Sequence, residues 1–413
     1  MSFLDRVVSF LGVGGRAATP GRLEQPVAGR DFAESSNLLG LDIYRTLRAA
    51  PGNLVFSPAS LSTALAMAWG GARGETAAQM KKVMHLGETP DAVMRDTGHL
   101  AAALTDPGNA VTFHVANRLF GEASVRLEAA YLEAVGSVQQ APLEPLDFKG
   151  APEAARARIN AWVKEQTRNR IRDLIASGAL TSDTRLVLVN AIYFLGDWEE
   201  PFVERATRPE PFHLSKRQKK DVPTMHRRDA LRYAKRRGVQ ALELPYRGGR
   251  LAMLLLLPDE IDGLGRFEDE LTGPTLDAIV KALAPVKVVV ALPKFEIEPR
   301  QTLELGSVLS GLGMTEAFDR ERADFTGMAN PPDPRDRLFV SEVFHKAFVK
   351  TDEKGTEAAA ATAVHMGMVG SALRPRPERI VEFQADHPFL FLIRDVTSGL
   401  VVFMGRVSDP SER

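Results

Sequence analysis

Catalysis needs nucleophiles, bases or metal ligands at set spacings, and this chain supplies few. It has no His-Glu-x-x-His pair, no Gly-x-Ser-x-Gly nucleophile turn and no glycine-rich phosphate loop after a strand. Its eight histidines are scattered, with none four residues from another. The lack of cysteine excludes disulfides, thiol catalysis and thiolate metal sites. Ser57 and His345 could in principle act as nucleophile and base. Ser57, however, opens a helix that reads as buried, and His345 lies inside an apolar strand, where a hydrogen-bonded core histidine fits better. No metal, cofactor or enzyme activity is expected. A basic run, Lys216, Arg217, Lys219, Lys220, Arg227, Arg228, Arg232, Lys235, Arg236 and Arg237, is opposed only by Asp221 and Asp229. It could bind a polyanion, with a solvated surface as the other reading.

The segment from Thr351 to Arg374 suggests different chemistry, as something acted upon. A charged turn ends at Gly355, an alanine run follows, and Gly367 and Gly370 loosen the end. Alternate positions Thr356, Ala358, Ala360, Thr362, Val364, Met366 and Met368 are all uncharged, whereas Glu357 and His365 fall on the opposite set. A strand with small residues on one face could slide between existing strands without overpacking. Alanine is also the best helix former, so an exposed loop or short helix is the alternative.

The surrounding elements are those of an ordinary globular chain of 413 residues, 44% apolar and 25% charged, with net charge −1. No apolar run is long enough to span a membrane. Residues 1–30 read as a flexible extension. Their apolar stretch is short, interrupted by Asp5 and Arg6 and without a basic leader, so a cytoplasmic location is expected, with an extracellular one left open. Helices are expected at Asp31–Arg48, at Ala59–Gly70 behind a Ser57-Pro58 start, at Glu75–Val83, Pro90–Leu104 and Leu127–Gly136, over the whole of Pro152–Leu174, and at Leu264–Leu283 and Thr302–Leu312. Strands are expected at Ala110–Phe120, Arg185–Phe194, Leu231–Tyr233, Val239–Leu244, Leu251–Leu257, Lys287–Phe295, Leu338–Lys350, Ile380–Phe383, Phe389–Arg394 and Leu400–Val407. Arg185–Phe194 is nearly all apolar, so it reads as buried on both faces, and Asn190 in its middle must hydrogen-bond across the sheet. Strands and helices do not alternate strictly, which favours an α+β fold.

Several blocks, in order, resemble the serpin family over roughly residues 31–410. They are Asn53-Leu-Val-Phe-Ser-Pro-Ala-Ser-Leu-Ser-Thr-Ala-Leu, Ile159-Asn-Ala-Trp-Val with Ile171-Arg-Asp-Leu, and Leu186-Val-Leu-Val-Asn-Ala-Ile-Tyr-Phe-Leu-Gly-Asp-Trp. Leu292-Pro-Lys-Phe, His345-Lys-Ala-Phe, Asp352-Glu-Lys-Gly-Thr-Glu-Ala-Ala-Ala-Ala-Thr and His387-Pro-Phe-Leu-Phe complete the set. The resemblance implies an α+β fold in one domain over residues 31–413: a large central mixed sheet, two smaller sheets, surrounding helices and an exposed reactive-centre loop at about 353–378. It implies a monomeric serine-type endopeptidase inhibitor, acting on a serine or cysteine protease as a suicide substrate whose cut loop enters the sheet, as serpin loops do. A non-inhibitory serpin acting as chaperone or carrier is the alternative.

The resemblance also assigns residues. Glu353, Gly355 and Thr356–Thr362 (Thr356, Glu357, Ala358, Ala359, Ala360, Ala361, Thr362) match the hinge. Family spacing counted from Gly355 puts the reactive bond at Val369–Gly370, suited to an elastase-like protease; Met368 and Leu373 are fallbacks that point to chymotrypsin-like ones. Arg374 precedes Pro375 and lies too far along. The stretch from Gly370 to Glu378 is longer than the family's. Ser57, Ser60, Asn190 and His345 match a polar cluster that holds the sheet shut or open. Lys294 and Glu353 match a salt bridge at the sheet top near Trp198. Pro90–Leu104, which matches the family's heparin-binding helix, holds few basic residues, so no activating cofactor is implied.

Overall fold

A strand whose consecutive side chains are all apolar has no solvent face and must lie between two packed layers. In the computed structural model, which describes residues 30–87, 89–105, 110–136, 143–298, 301–356 and 380–412, every residue from Leu186 to Phe194 is buried.

The chain begins with α1 (Arg30–Leu47), β1 (Leu54–Phe56), α2 (Pro58–Gly71), α3 (Gly74–Val83), α4 (Pro90–Thr105) and β2 (Val111–Glu122). It continues through α5 (Ala129–Gly136), β3 (Leu143–Leu146), α6 (Pro152–Gln166), β4 (Leu186–Asp197), β5 (Arg208–Ser215), β6 (Gln218–Arg236), β7 (Val239–Pro245) and β8 (Leu251–Pro258). Next come α7 (Leu264–Glu270), α8 (Gly273–Ala282), β9 (Ala284–Pro293), β10 (Phe295–Ile297), β11 (Leu303–Glu304) and α9 (Gly306–Gly311). It closes with β12 (Val340–Thr351), β13 (Gly355–Thr356), β14 (Ile380–Gln384), β15 (Phe389–Asp395) and β16 (Val401–Val407).

These strands form two sheets. The seven-stranded one runs β10-β12-β13-β4-β2-β3, with β11 on β12; it is mixed, because β12 lies parallel to β4 and β2 parallel to β3. The nine-stranded one runs β1-β16-β15-β8-β7-β6-β9-β14, with β5 on β6. The two smaller sheets expected are continuous here, because the 19-residue β6 carries β5 along its first part, β9 along its middle from Thr224 to Tyr233, and β7 at its end.

The pleat of β4 divides its neighbours. Leu186 and Leu188 join the core around α2, and Ile192 and Phe194 pack toward the nine-stranded sheet. Val187, Val189 and Ala191 face the opposite layer, built by α6 and the segment after it. Arg118 of β2 lies under the Trp162 ring of α6, 4.4 Å from its centroid, and pairs with Glu144 of β3, which also takes Arg158 of α6. This ties α6 to the β2–β3 side.

Three expected helices differ. The helix expected over Pro152–Leu174 ends at Gln166. Arg168 and Asn169 adopt left-handed φ values of 47° and 65°, and the Asn169 N–H closes onto the Lys164 carbonyl at 2.8 Å. Ile171 and Leu174 still face inward, from an irregular segment. Leu264–Leu283 splits into α7 and α8, because Thr272 caps a new helix with Pro274 in its first turn. Thr302–Leu312 opens as β11 and is helical only from Gly306, because β12 offers a free edge to Leu303 and Glu304. Among the described residues no helix is long and apolar enough to cross a membrane.

Candidate functional site

The site is the line along which β4 and β12 meet. At its centre Asn190 lies opposite His345 in the parallel ladder and opposite Asn117 on β2. His345 Nε2 accepts from the Ser57 N–H at 3.0 Å, leaving Nδ1–H to donate to Asn190 Oδ1. Asn190 Nδ2 donates to Ser60 Oγ and Asn117 Oδ1, each at 2.6 Å, and Ser60 Oγ donates to Asn117 Oδ1 at 2.7 Å. Ser57 Oγ accepts from the Ser60 N–H at the start of α2 and donates to the Val402 carbonyl at 2.6 Å. Ser57, Ser60, Asn190 and His345 therefore meet, and all four are buried. Asn117 is a fifth member that the sequence reading missed. Burial pushes the His345 imidazole down to about 3, against a smaller opposing effect of its Asn190 contact, so the ring is neutral.

The second part is the top of the sheet. Lys294 Nζ reaches Glu353 Oε2 at 2.8 Å, and Thr207 donates to the other carboxylate oxygen at 2.8 Å. Burial works to raise the Glu353 pKa, but these partners outweigh it and hold the carboxyl below its ordinary value. Trp198 clasps the same turn, donating its indole N–H to Asp352 and its backbone N–H to Lys354, at 3.0 and 2.8 Å.

The third part is β13. Between β12 and β4 the chain has inserted two of its own residues: Thr356 pairs with Thr351 on one edge and Gly196 on the other, and Gly355 with Asp197. Thr356 is wholly buried, and its hydroxyl meets the Tyr246 hydroxyl at 2.7 Å. Tyr246 stacks on Trp198 with ring centroids 4.6 Å apart. Burial raises its pKa far above the ordinary value, so the phenol stays neutral and able to donate. Gly355 is required by contact: a Cβ there would lie 2.0 Å from the Gly196 carbonyl oxygen. Tyr246 was missed by sequence reasoning, since one tyrosine after Pro245 carries no pattern. Glu357, Ala358, Ala359, Ala360, Ala361, Thr362, Met368, Val369, Gly370 and Leu373 lie outside the described residues.

Several members of the basic run are paired with acidic side chains. Lys216 pairs with Asp262, Lys220 with Asp409, Arg232 with Glu243 and Lys235 with Asp259. Arg227 is buried against Asp229 and the Glu200 carbonyl, while its neighbour Arg228 is exposed. Among the described residues no group of three or more His, Cys, Asp or Glu is placed to hold a metal.

Comparison with known proteins agrees with this architecture. The family model described as serpin (serine protease inhibitor) matches residues 34–410. Leukocyte elastase inhibitor A of Rattus norvegicus is 40% identical over 92% of this chain and 99% of its own length. Leukocyte elastase inhibitor of Sus scrofa is 42% identical with the same coverage. The crystal structure of uncleaved ovalbumin superposes with a TM-score of 0.81 at 30% identity, covering 92% of this chain and all of that one. The chain belongs to the serpin family.

Two measurements probe the site. The unfolded chain protonates His345 below about 6.5, but the folded chain does so only near 3. Stability from the neutral ring is therefore full above the first value and is lost as pH falls toward the second. His345→Gln should lower the melting temperature at pH 7, and should lose less than the parent between pH 7 and pH 4; equal losses would count against the assignment. Gly355→Ala should unseat Thr356. Of three tryptophans only Trp198 touches this turn, so its emission should shift while Trp69 and Trp162 stay buried.

Proposed function

We propose that this chain is a suicide-substrate inhibitor whose cut loop enters the gap between β4 and β12 behind Thr356. The observation that carries the reading is β13 itself: the hinge residues Gly355 and Thr356 already occupy the head of that gap, with Thr356 paired on both edges. The chain is a serine protease inhibitor of serpin type. A protease attacks the loop and forms an acyl-enzyme; the loop then advances into the sheet before hydrolysis frees the enzyme. The elastase inhibitors that resemble this chain, together with the small side chain of Val369, support an elastase-like target and the Val369–Gly370 bond. In this reading Ser57, Ser60, Asn117, Asn190 and His345 keep the lower gap shut, and Lys294, Glu353 and Trp198 hold the turn from which insertion starts.

The test mixes the protein with elastase-, chymotrypsin-, trypsin- and subtilisin-like proteases. At least one should form an SDS-stable complex, and mass spectrometry of the C-terminal fragment should show it starting at Gly370. Cleavage should also raise the melting temperature, because a new strand completes the sheet. If every protease only nicks the loop and stays active, the inhibitor reading fails. Thr356 sits wholly buried beside a neutral phenol, so an arginine there would be an unpaired buried charge costing about 3–5 kcal/mol. Thr356→Arg should therefore be cleaved as a substrate with little complex formed.

A further inference from the structure

Below the hinge, β4 and β12 pair directly, and the uppermost pair of that ladder is Tyr193 opposite Phe348. The pleat puts both on the α6 face, alongside Val189, Ala191 and Phe344. Both residues are buried, and their ring centroids lie 5.7 Å apart. The Arg170 guanidinium sits over both, 5.9 Å from the Tyr193 centroid and 5.6 Å from that of Phe348. One cation thus bridges the two strands that must separate.

The segment that delivers Arg170 is fixed on both sides of the gap. It leaves α6 through Arg168 and Asn169, both in the left-handed region that non-glycine residues enter only at a cost. Asn160 of α6 exchanges two hydrogen bonds with Ile175, each 2.9 Å. On the β12 side, Thr302, next to β11, donates to the Leu174 carbonyl at 2.5 Å.

The register says when this contact matters. Thr356 pairs with Gly196, so continuing the antiparallel pairing brings position 359 opposite position 193. Thr356 also pairs with Thr351, which brings position 359 opposite position 348. A strand growing from Thr356 meets the Tyr193–Phe348 pair from both edges at once.

We propose that Arg170, Tyr193 and Phe348 form a clasp across the gap, whose opening sets how fast the loop advances. They are positioning residues: they govern the division between trapping the protease and being spent as substrate, without touching the reactive bond. The proposal rests on the loop-insertion reading, and its test needs no protease.

A synthetic peptide with the sequence of residues 356–369 is added to the intact protein, and its annealing is followed by the rise in melting temperature. Arg170→Ala should anneal about two- to fivefold faster than the parent, the range expected for losing one exposed cation–π contact. Arg170→Lys, which keeps the cation, should stay near the parent rate. Arg172→Ala, in the same segment but bonded among the described residues to the Asn169 carbonyl at 3.1 Å, should leave the rate unchanged. Arg170→Ala no faster than the parent, or Arg170→Lys or Arg172→Ala as fast as Arg170→Ala, overturns the clasp. A protein that takes up no peptide in any form overturns the loop-insertion reading with it.

Discussion

The contact between Asn190 and His345 is the constraint on which the rest depends. It joins two parallel strands at the middle of a sheet through neutral polar groups, each with its remaining partners fixed by Ser57, Ser60 and Asn117. Apolar packing weakens gradually as surfaces part, whereas a buried hydrogen bond is either made or missing. A group left unmet costs about 1–3 kcal/mol. Parting β4 from β12 at this point therefore costs these bonds all at once rather than by degrees.

The head of the same junction is treated differently. There β4 and β12 are already apart, and their edges are occupied by Gly355 and Thr356. The Trp198–Tyr246 stack supplies a floor, and the Lys294–Glu353 pair anchors the turn above it. Ordering the first residues of a strand is the entropically unfavourable part of forming it. In this chain Gly355 and Thr356 are already ordered as strand.

Much of this was legible in the residues. Asn190 stood out as one amide in an apolar run, and Ser57-Pro58 as a helix start. Thr356 was marked by the alternation that follows it. Asn117 was not legible, because β2 carries polar residues at several partly buried positions anyway. Tyr246 could not be found, because its role depends on Trp198 and Thr356 meeting it from distant parts of the chain. The length of α6 was misread because Ile171 and Leu174 keep helical spacing after the backbone has turned away. The break at Gly273-Pro274 behind Thr272 was a signal present in the sequence and passed over. The merging of the two smaller sheets follows from β6 being long enough to serve both, which local patterning does not report.

The placement of β15 and β16 bears on what a cut does to the molecule. β15 lies between β8 and β16 with full antiparallel ladders on each side, and β16 also pairs with β1 near the start of the described chain. Any break between Thr356 and Ile380 divides the polypeptide, but the C-terminal piece carries strands from the interior of the nine-stranded sheet. The two pieces remain one body, held as a non-covalent heterodimer whose interface is a hydrophobic core, and only denaturation sets the smaller one free.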